Sequence, residues 1–145
     1  MNGIADELKQ ELIGRLRHEA CSCLICQPSG LVTVEHERGV RDLFRLLADE
    51  PQVLRGAFVA DKVVGKGAAA LMVLGGVAEV YAGVISLPAL ELLERSAVAV
   101  SYGTAVPNII NRAGTGICPV ESLCADCRSA DECLPLIEEF IRGCF

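Results

Sequence analysis

A chain of 145 residues with 52% hydrophobic and only 22% charged content is long enough to bury a full core as one domain, and too apolar to stay disordered. Aromatics are scarce at 4% and Trp is absent, so that core must be built from Ala, Val, Leu and Ile. A net charge of −6 argues against a nucleic-acid partner, because phosphate binding needs clustered Lys and Arg.

The start, MNGIADELKQE, carries acids and lacks an apolar segment, so it does not read as a signal peptide. The longest uncharged apolar run near the centre, 67–78, has 12 residues, against the roughly 20 of a membrane span. A cytoplasmic protein without membrane contact is expected. Eight cysteines in such a chain read as reduced thiols, metal ligands or core residues, and not as a disulfide framework.

Ile4, Leu8, Leu12 and Leu16 recur at four-residue steps and predict an amphipathic helix over 3–19. The apolar run CSCLICQ follows, then the turn Gln27-Pro28-Ser29-Gly30. In LVTVEHE, Val32, Val34 and His36 alternate with Thr33 and Glu35. The two runs predict an antiparallel hairpin, with Cys21 and Cys23 on the face opposite Cys26. After Gly39 the period changes: Val40, Leu43, Phe44 and Leu47 mark a helix that Pro51 closes.

The next stretch is the centre of the chain. Residues 53–60 predict a strand, Asp61 an N-cap, 62–74 an almost wholly apolar helix, and Gly75-Gly76 its stop. Residues 77–85 predict a buried strand. Ser86 caps a further helix with Pro88 in its first turn, and 98–102 predict a fifth strand. After the loop-rich segment 106–121, the stripe Ala130, Cys133, Leu134, Ile137 and Ile141 predicts a last helix over 130–142. Strand–helix–strand units favour parallel pairing with right-handed crossovers. The expected architecture is one α/β domain over 1–145: a three-layer α/β/α sandwich around a mixed five-stranded sheet with an antiparallel hairpin.

Two spots concentrate polar groups. At the front of the central helix, Lys62 and Lys66 lie i, i+4 on one face, where the helix dipole disfavours cations by roughly 0.3–1 kcal/mol each. A protein carboxylate or a bound anion would resolve that conflict, or both lysines reach solvent. GKG lacks the spacing of a phosphate-binding P-loop. In NRAGTGICPVE, Pro119 opens a helix with Cys118 at its N-cap and Glu121 in capping-box register. A thiol there has a lowered pKa and nucleophilic character, or simply caps and packs. Asn111 adds an orienting amide, and Arg112 either binds a carboxylate or phosphate bidentately or pairs with a surface acid. The spacing of Cys118, Cys124, Cys127 and Cys133, together with Cys21, Cys23 and Cys26, hints at zinc or iron–sulfur. The place of Cys133 on an apolar stripe reads instead as core. His18 and His36 stand alone.

The segments DKVVGKGAAALM (from Asp61), VYAGVIS (from Val80) and NRAGTGICPVE (from Asn111) together resemble a bacterial family of unknown function whose fold is similar to the cytidine deaminases. The likeness covers residues 30–122. It implies a sandwich in which the start of the Asp61 helix faces the start of the Cys118 helix. The zinc deaminases carry a His or Cys with a Glu two residues on, and then P-C-x-x-C. Here the first helix opens Asp61-Lys62-Val63-Val64, and Cys118 precedes Pro119, so the likeness comes without the zinc motif.

These readings converge on a small anionic or nucleotide-like ligand held by Lys62, Lys66, Asn111, Arg112 and Glu121, with Cys118 and Asp61 as reactive candidates and no metal or cofactor. The competing expectations are a cysteine-based metal or redox module and a non-catalytic interaction domain. The apolar composition is compatible with a homodimer.

Overall fold

Residues Phe58–Val64 form β3, the central strand, in a computed structural model that describes residues 4–36 and 40–143. Val59, Val63 and Val64 favour extended backbone, and β3 is flanked on both sides. It pairs antiparallel with β1 (Cys23–Cys26) and parallel with β4 (Glu79–Ser86). Those two ladders carry the strand through Asp61. The expected N-cap at Asp61 and helix over 62–74 are therefore corrected: α3 spans Lys66–Gly75, and extended Gly65 stands before it. Lys62 and Lys66 do not share a helix face, because only Lys66 is helical.

With β2 (Val32–Glu35) and β5 (Ala99–Val106), the sheet has the order β2-β1-β3-β4-β5. β1 runs antiparallel to both neighbours, while β3, β4 and β5 are parallel. This is the mixed five-stranded sheet that the alternating pattern predicts. β5 runs four residues beyond the expected end at 102.

Helices cover both faces and divide the core in two. On one face α1 (Asp6–His18) sets Leu12, Ile13 and Leu16 against Leu24, Cys26, Phe58 and Ala60. On the other lie α2 (Arg41–Asp49), α3, α4 (Leu87–Arg95) and α6 (Ala130–Gly143), packed on Ile25, Val59, Val80 and Ala82. Cys21 belongs with Cys26 on the α1 side and Cys23 lies opposite. The expected pairing of Cys21 with Cys23 fails because β1 begins only at Cys23, so strand alternation does not reach Cys21. Residue 3 of the first expected helix, Gly39 and Cys144 lie outside the described residues.

The local signals at the other helix ends act as their chemistry dictates. Gly76 takes a left-handed φ of 79° and donates to Met72 and Val73 carbonyls, closing α3. Ser86 Oγ accepts from the Ala89 N–H, and Pro88 fills the first turn of α4. Gly67 lets α5 (Pro119–Cys124) approach α3: a Cβ there would stand 2.4 Å from Val120 Cγ1.

Candidate active site at the front of α3 and α5

A cavity of about 660 Å³ opens where the end of β3, the front of α3, the front of α5 and the loop after β5 meet. In open α/β sheets the carboxyl ends of the parallel strands are where ligands lodge. Of the seven candidate residues, six line it: Asp61, Lys62, Asn111, Arg112, Cys118 and Glu121. Residues more than fifty positions apart thus share one hollow. Lys66 does not line it.

Glu121 explains the front of α3. Its side chain is 3% exposed. Its Oε1 accepts from the Lys66 backbone N–H at 2.7 Å and from Ser86 Oγ at 3.2 Å, and its Oε2 accepts from the Ile109 N–H at 2.7 Å. The carboxylate therefore neutralises the positive end of α3, ties in the cap of α4 and pins the loop after β5. The negative partner expected at this helix front is the protein's own carboxylate. The expected capping box within α5 is corrected as well: Glu121 turns to α3, and the Cys118 N–H donates to the Ile109 carbonyl at 2.8 Å.

Lys66 is 6% exposed, and its ammonium donates to the carbonyls of Ala125 at 3.2 Å and Cys127 at 2.6 Å. These carbonyls follow the last turn of α5, where the helix dipole is negative, so the cation is satisfied at the far end of the neighbouring helix. Lys66, expected at the ligand, stands outside the cavity lining and braces the front of α3 against the end of α5. Lys62 points toward α1, and its Nζ donates to the Glu19 carbonyl at 3.0 Å, just past the end of that helix. Asn111 builds the loop: its Oδ1 accepts from the Thr115 N–H and its Nδ2 donates to Thr115 Oγ1. Arg112 is exposed and makes no hydrogen bond or ion pair among the described residues.

Asp61 is buried, and burial raises its carboxyl from 3.8 to about 7, against the opposing pull of the Val63 and Lys62 backbone N–H groups. It is thus poised to exchange a proton near neutrality. Cys118 is half-buried at the head of α5, and its thiol makes no capping bond.

Three acidic or basic residues of the cavity escape the sequence reading: Glu35, His36 and Asp42. Glu35 alternates with apolar Val34 and so reads as a solvent-facing strand position, yet α2 covers that face. Burial, then the Asp42 charge, raises the Glu35 carboxyl, while Arg45 pulls it down. Asp42 sits one helical turn before Leu46 at the rim of the buried face of α2, which is a weak signal in the sequence.

The cysteines of the last segment gather under α6. Cys124 and Cys133 are fully buried, and Cys127 packs against them. A hydrogen bond with the Cys133 thiol lowers the Cys124 pKa and raises that of Cys133, and burial pushes Cys127 up to about 11. The seven described cysteines are free thiols. Among the described residues no three His, Cys, Asp or Glu side chains are placed to hold a metal ion, and no helix is long and apolar enough to cross a membrane.

Sheet, helices and cavity together define a small α/β protein with a hollow, apolar over most of its lining and set with charged groups, at the carboxyl end of its central strand. The chain belongs to the family described as TM1506, domain of unknown function (DUF1893), whose pattern matches residues 11–141. The fold is similar to the crystal structure of a DUF1893 family protein, TM1506, from Thermotoga maritima. The TM-score is 0.85 at 24% identity, with 96% of this chain and 94% of that chain covered. No curated protein matches the chain.

Proposed function

We propose that the protein binds a small molecule in the cavity at the front of α3 and α5. Arg112 meets an anionic group of the ligand at the mouth, and Asp61 and Cys118 are the reactive candidates. The observation that carries this reading is the enclosure of Asp61, a buried carboxylate with a pKa near 7, in a hollow shared with the Cys118 thiol and the unpaired Arg112. A structural role alone gives no reason to keep such a group, because burying an ionisable carboxyl destabilises the fold.

The likeness to the cytidine deaminases enters here as part of the proposal. It is supported by the mutual facing of the two helix fronts, joined through Glu121. Its zinc chemistry does not follow, because the front of α3 reads Gly65-Lys66-Gly67 with no His or Cys, and Cys118 precedes Pro119 without the P-C-x-x-C pattern. A cytoplasmic location fits free thiols, and the net charge of −6 fits a protein without a nucleic-acid partner.

Thermal-shift screening against nucleotides and small phosphorylated or carboxylated metabolites tests the reading. At least one anion should raise the melting temperature, and Arg112→Ala should remove that shift while leaving the unliganded melting temperature in place. A screen without a hit, or a hit indifferent to Arg112→Ala, counts against it.

A further inference from the structure

The inner wall of the cavity is acidic, and strand register shows how. Glu35 of β2 stands opposite Cys23 of β1, and Cys23 stands opposite Asp61 of β3. Residues paired across neighbouring strands project from the same face. At a strand spacing of about 4.8 Å, Glu35 and Asp61 start roughly 10 Å apart with the Cys23 thiol between them. Asp42 reaches the same cavity from α2, which packs over this face.

Asp42 is 8% exposed, and its Oδ2 has no hydrogen-bond donor among the described residues. The group that faces it is another carboxyl, Glu35, which burial, then the Asp42 charge and a hydrogen bond with Asp42, raise above its ordinary range, so the two acids share one proton and no N–H. Arg45 comes no closer than 3.8 Å to Asp42 and divides its guanidinium between Glu35 at 3.3 Å and Glu50 at 3.2 Å. The cavity's other charges do not compensate. The Lys62 ammonium is bound to the Glu19 carbonyl, Glu121 is saturated by three donors, and His36 and Arg112 are exposed at the mouth. Cys23 is neutral: burial, then the charges of Asp61, Glu35 and Asp42, hold its thiol well above its ordinary range. Among the described residues the inner cavity therefore holds acceptors in excess, and no N–H reaches Asp42 Oδ2. A buried acceptor in that condition is costly, and a ligand N–H is the complement it lacks.

We propose that the ligand enters with a protonated nitrogen, an alkylammonium or guanidinium group, seated among Glu35, Asp42 and Asp61. This rests on the small-molecule reading above and specifies its ligand. With Arg112 at the mouth, the molecule is amphoteric, cationic at its inner end and anionic at its outer end. An organic cation suits these carboxylates better than a metal ion, which needs its oxygens converged to about 2.0–2.6 Å. Among the described residues no such set converges.

The test is an NMR titration of isotope-labelled protein at pH 7.5 with butylammonium chloride, sodium butyrate and 1-butanol at matched ionic strength. Butylammonium should move the amides of Cys23, Glu35, Asp42 and Asp61 saturably, while 1-butanol does not. Affinity should fall about tenfold at pH 5.5, where Asp61 is protonated and its attraction is lost. Asp42→Asn should weaken butylammonium by about tenfold, with Asp61→Asn as the second variant should the first fail to fold. Butylammonium binding no tighter than 1-butanol, or as tight in both variants as in the wild type, overturns the proposal. Butyrate shifts at Arg112 without any butylammonium response overturn the cation and leave the small-molecule site standing. Silence of all cavity amides to all three probes overturns both.

Discussion

Replacing Asp61 by Asn changes the electrostatics of the cavity floor with almost no change of shape. Asp61 is 9% exposed, and burial lifts its carboxyl from 3.8 to about 7. A difference of roughly three units, at 1.36 kcal/mol per unit, corresponds to about 4 kcal/mol as an upper figure. The folded value lies above the unfolded one, so the folded protein holds this proton more tightly. The contribution of Asp61 to stability is most favourable below pH 4 and declines as pH rises to about 7, because ionisation is easier in the unfolded chain. Asn avoids that decline, and its Oδ1 can still accept the Val63 N–H that Asp61 accepts at 3.3 Å. The variant should exceed wild type by about 2–4 kcal/mol at pH 8 and match it within about 0.5 kcal/mol below pH 4. Urea unfolding followed by circular dichroism across that range measures both numbers. A difference that does not change with pH, or a variant less stable than wild type at pH 8, would refute the assignment of Asp61 as a buried acid held at an energetic cost.

Other substitutions separate struts from binding groups. Glu121→Ala removes the acceptor from the Lys66 N–H, the Ser86 hydroxyl and the Ile109 N–H, and should destabilise by about 3–5 kcal/mol in urea unfolding. Lys66→Met leaves the Ala125 and Cys127 carbonyls without their donor and should cost about 1–3 kcal/mol. Any ligand that raises the melting temperature of wild type should still do so in this variant, and its loss would return Lys66 to the site. Gly67→Ala drives a methyl into Val120, and the strain should lower stability by about 1–3 kcal/mol. An unchanged unfolding midpoint there would mean that α5 shifts freely against α3.

Several elements are legible in the residues because their causes are local. Ser86 with Pro88 starts a helix wherever it stands, since the hydroxyl and the fixed φ act on the next three residues. Gly76 ends one because it alone adopts φ of 79° at no steric cost. The hairpin, the last helix stripe and the strand–helix–strand rhythm are short-range periodicities, and all three are found. The candidate residues around Asp61 and Asn111 to Glu121 are likewise visible as polar clusters bounded by apolar runs.

The boundary at Asp61 is not local. An Asp before Lys-Val-Val-Gly-Lys caps a helix in isolation, but β1 and β4 supply hydrogen-bond partners on both sides through Asp61, and β4 extends the strand to Val64. The roles of the charges shift with that boundary: Lys66 reaches the end of α5, Lys62 the end of α1, and Glu121 the front of α3. Each partner lies 43 to 61 positions away. The acid row is the sharpest case. Glu35 and Asp61 read as exposed strand and helix-cap residues, and only the register of three strands beneath α2 sets them in one enclosed wall.

Pattern and turn chemistry, which act over a few residues, were enough to determine the α/β class, the order of the elements and the two polar clusters. Which charge meets which partner, and which acids are left facing the hollow, was decided by tertiary structure. Electrostatic partnership depends on distance in space, and the sheet brings together groups that the chain keeps apart.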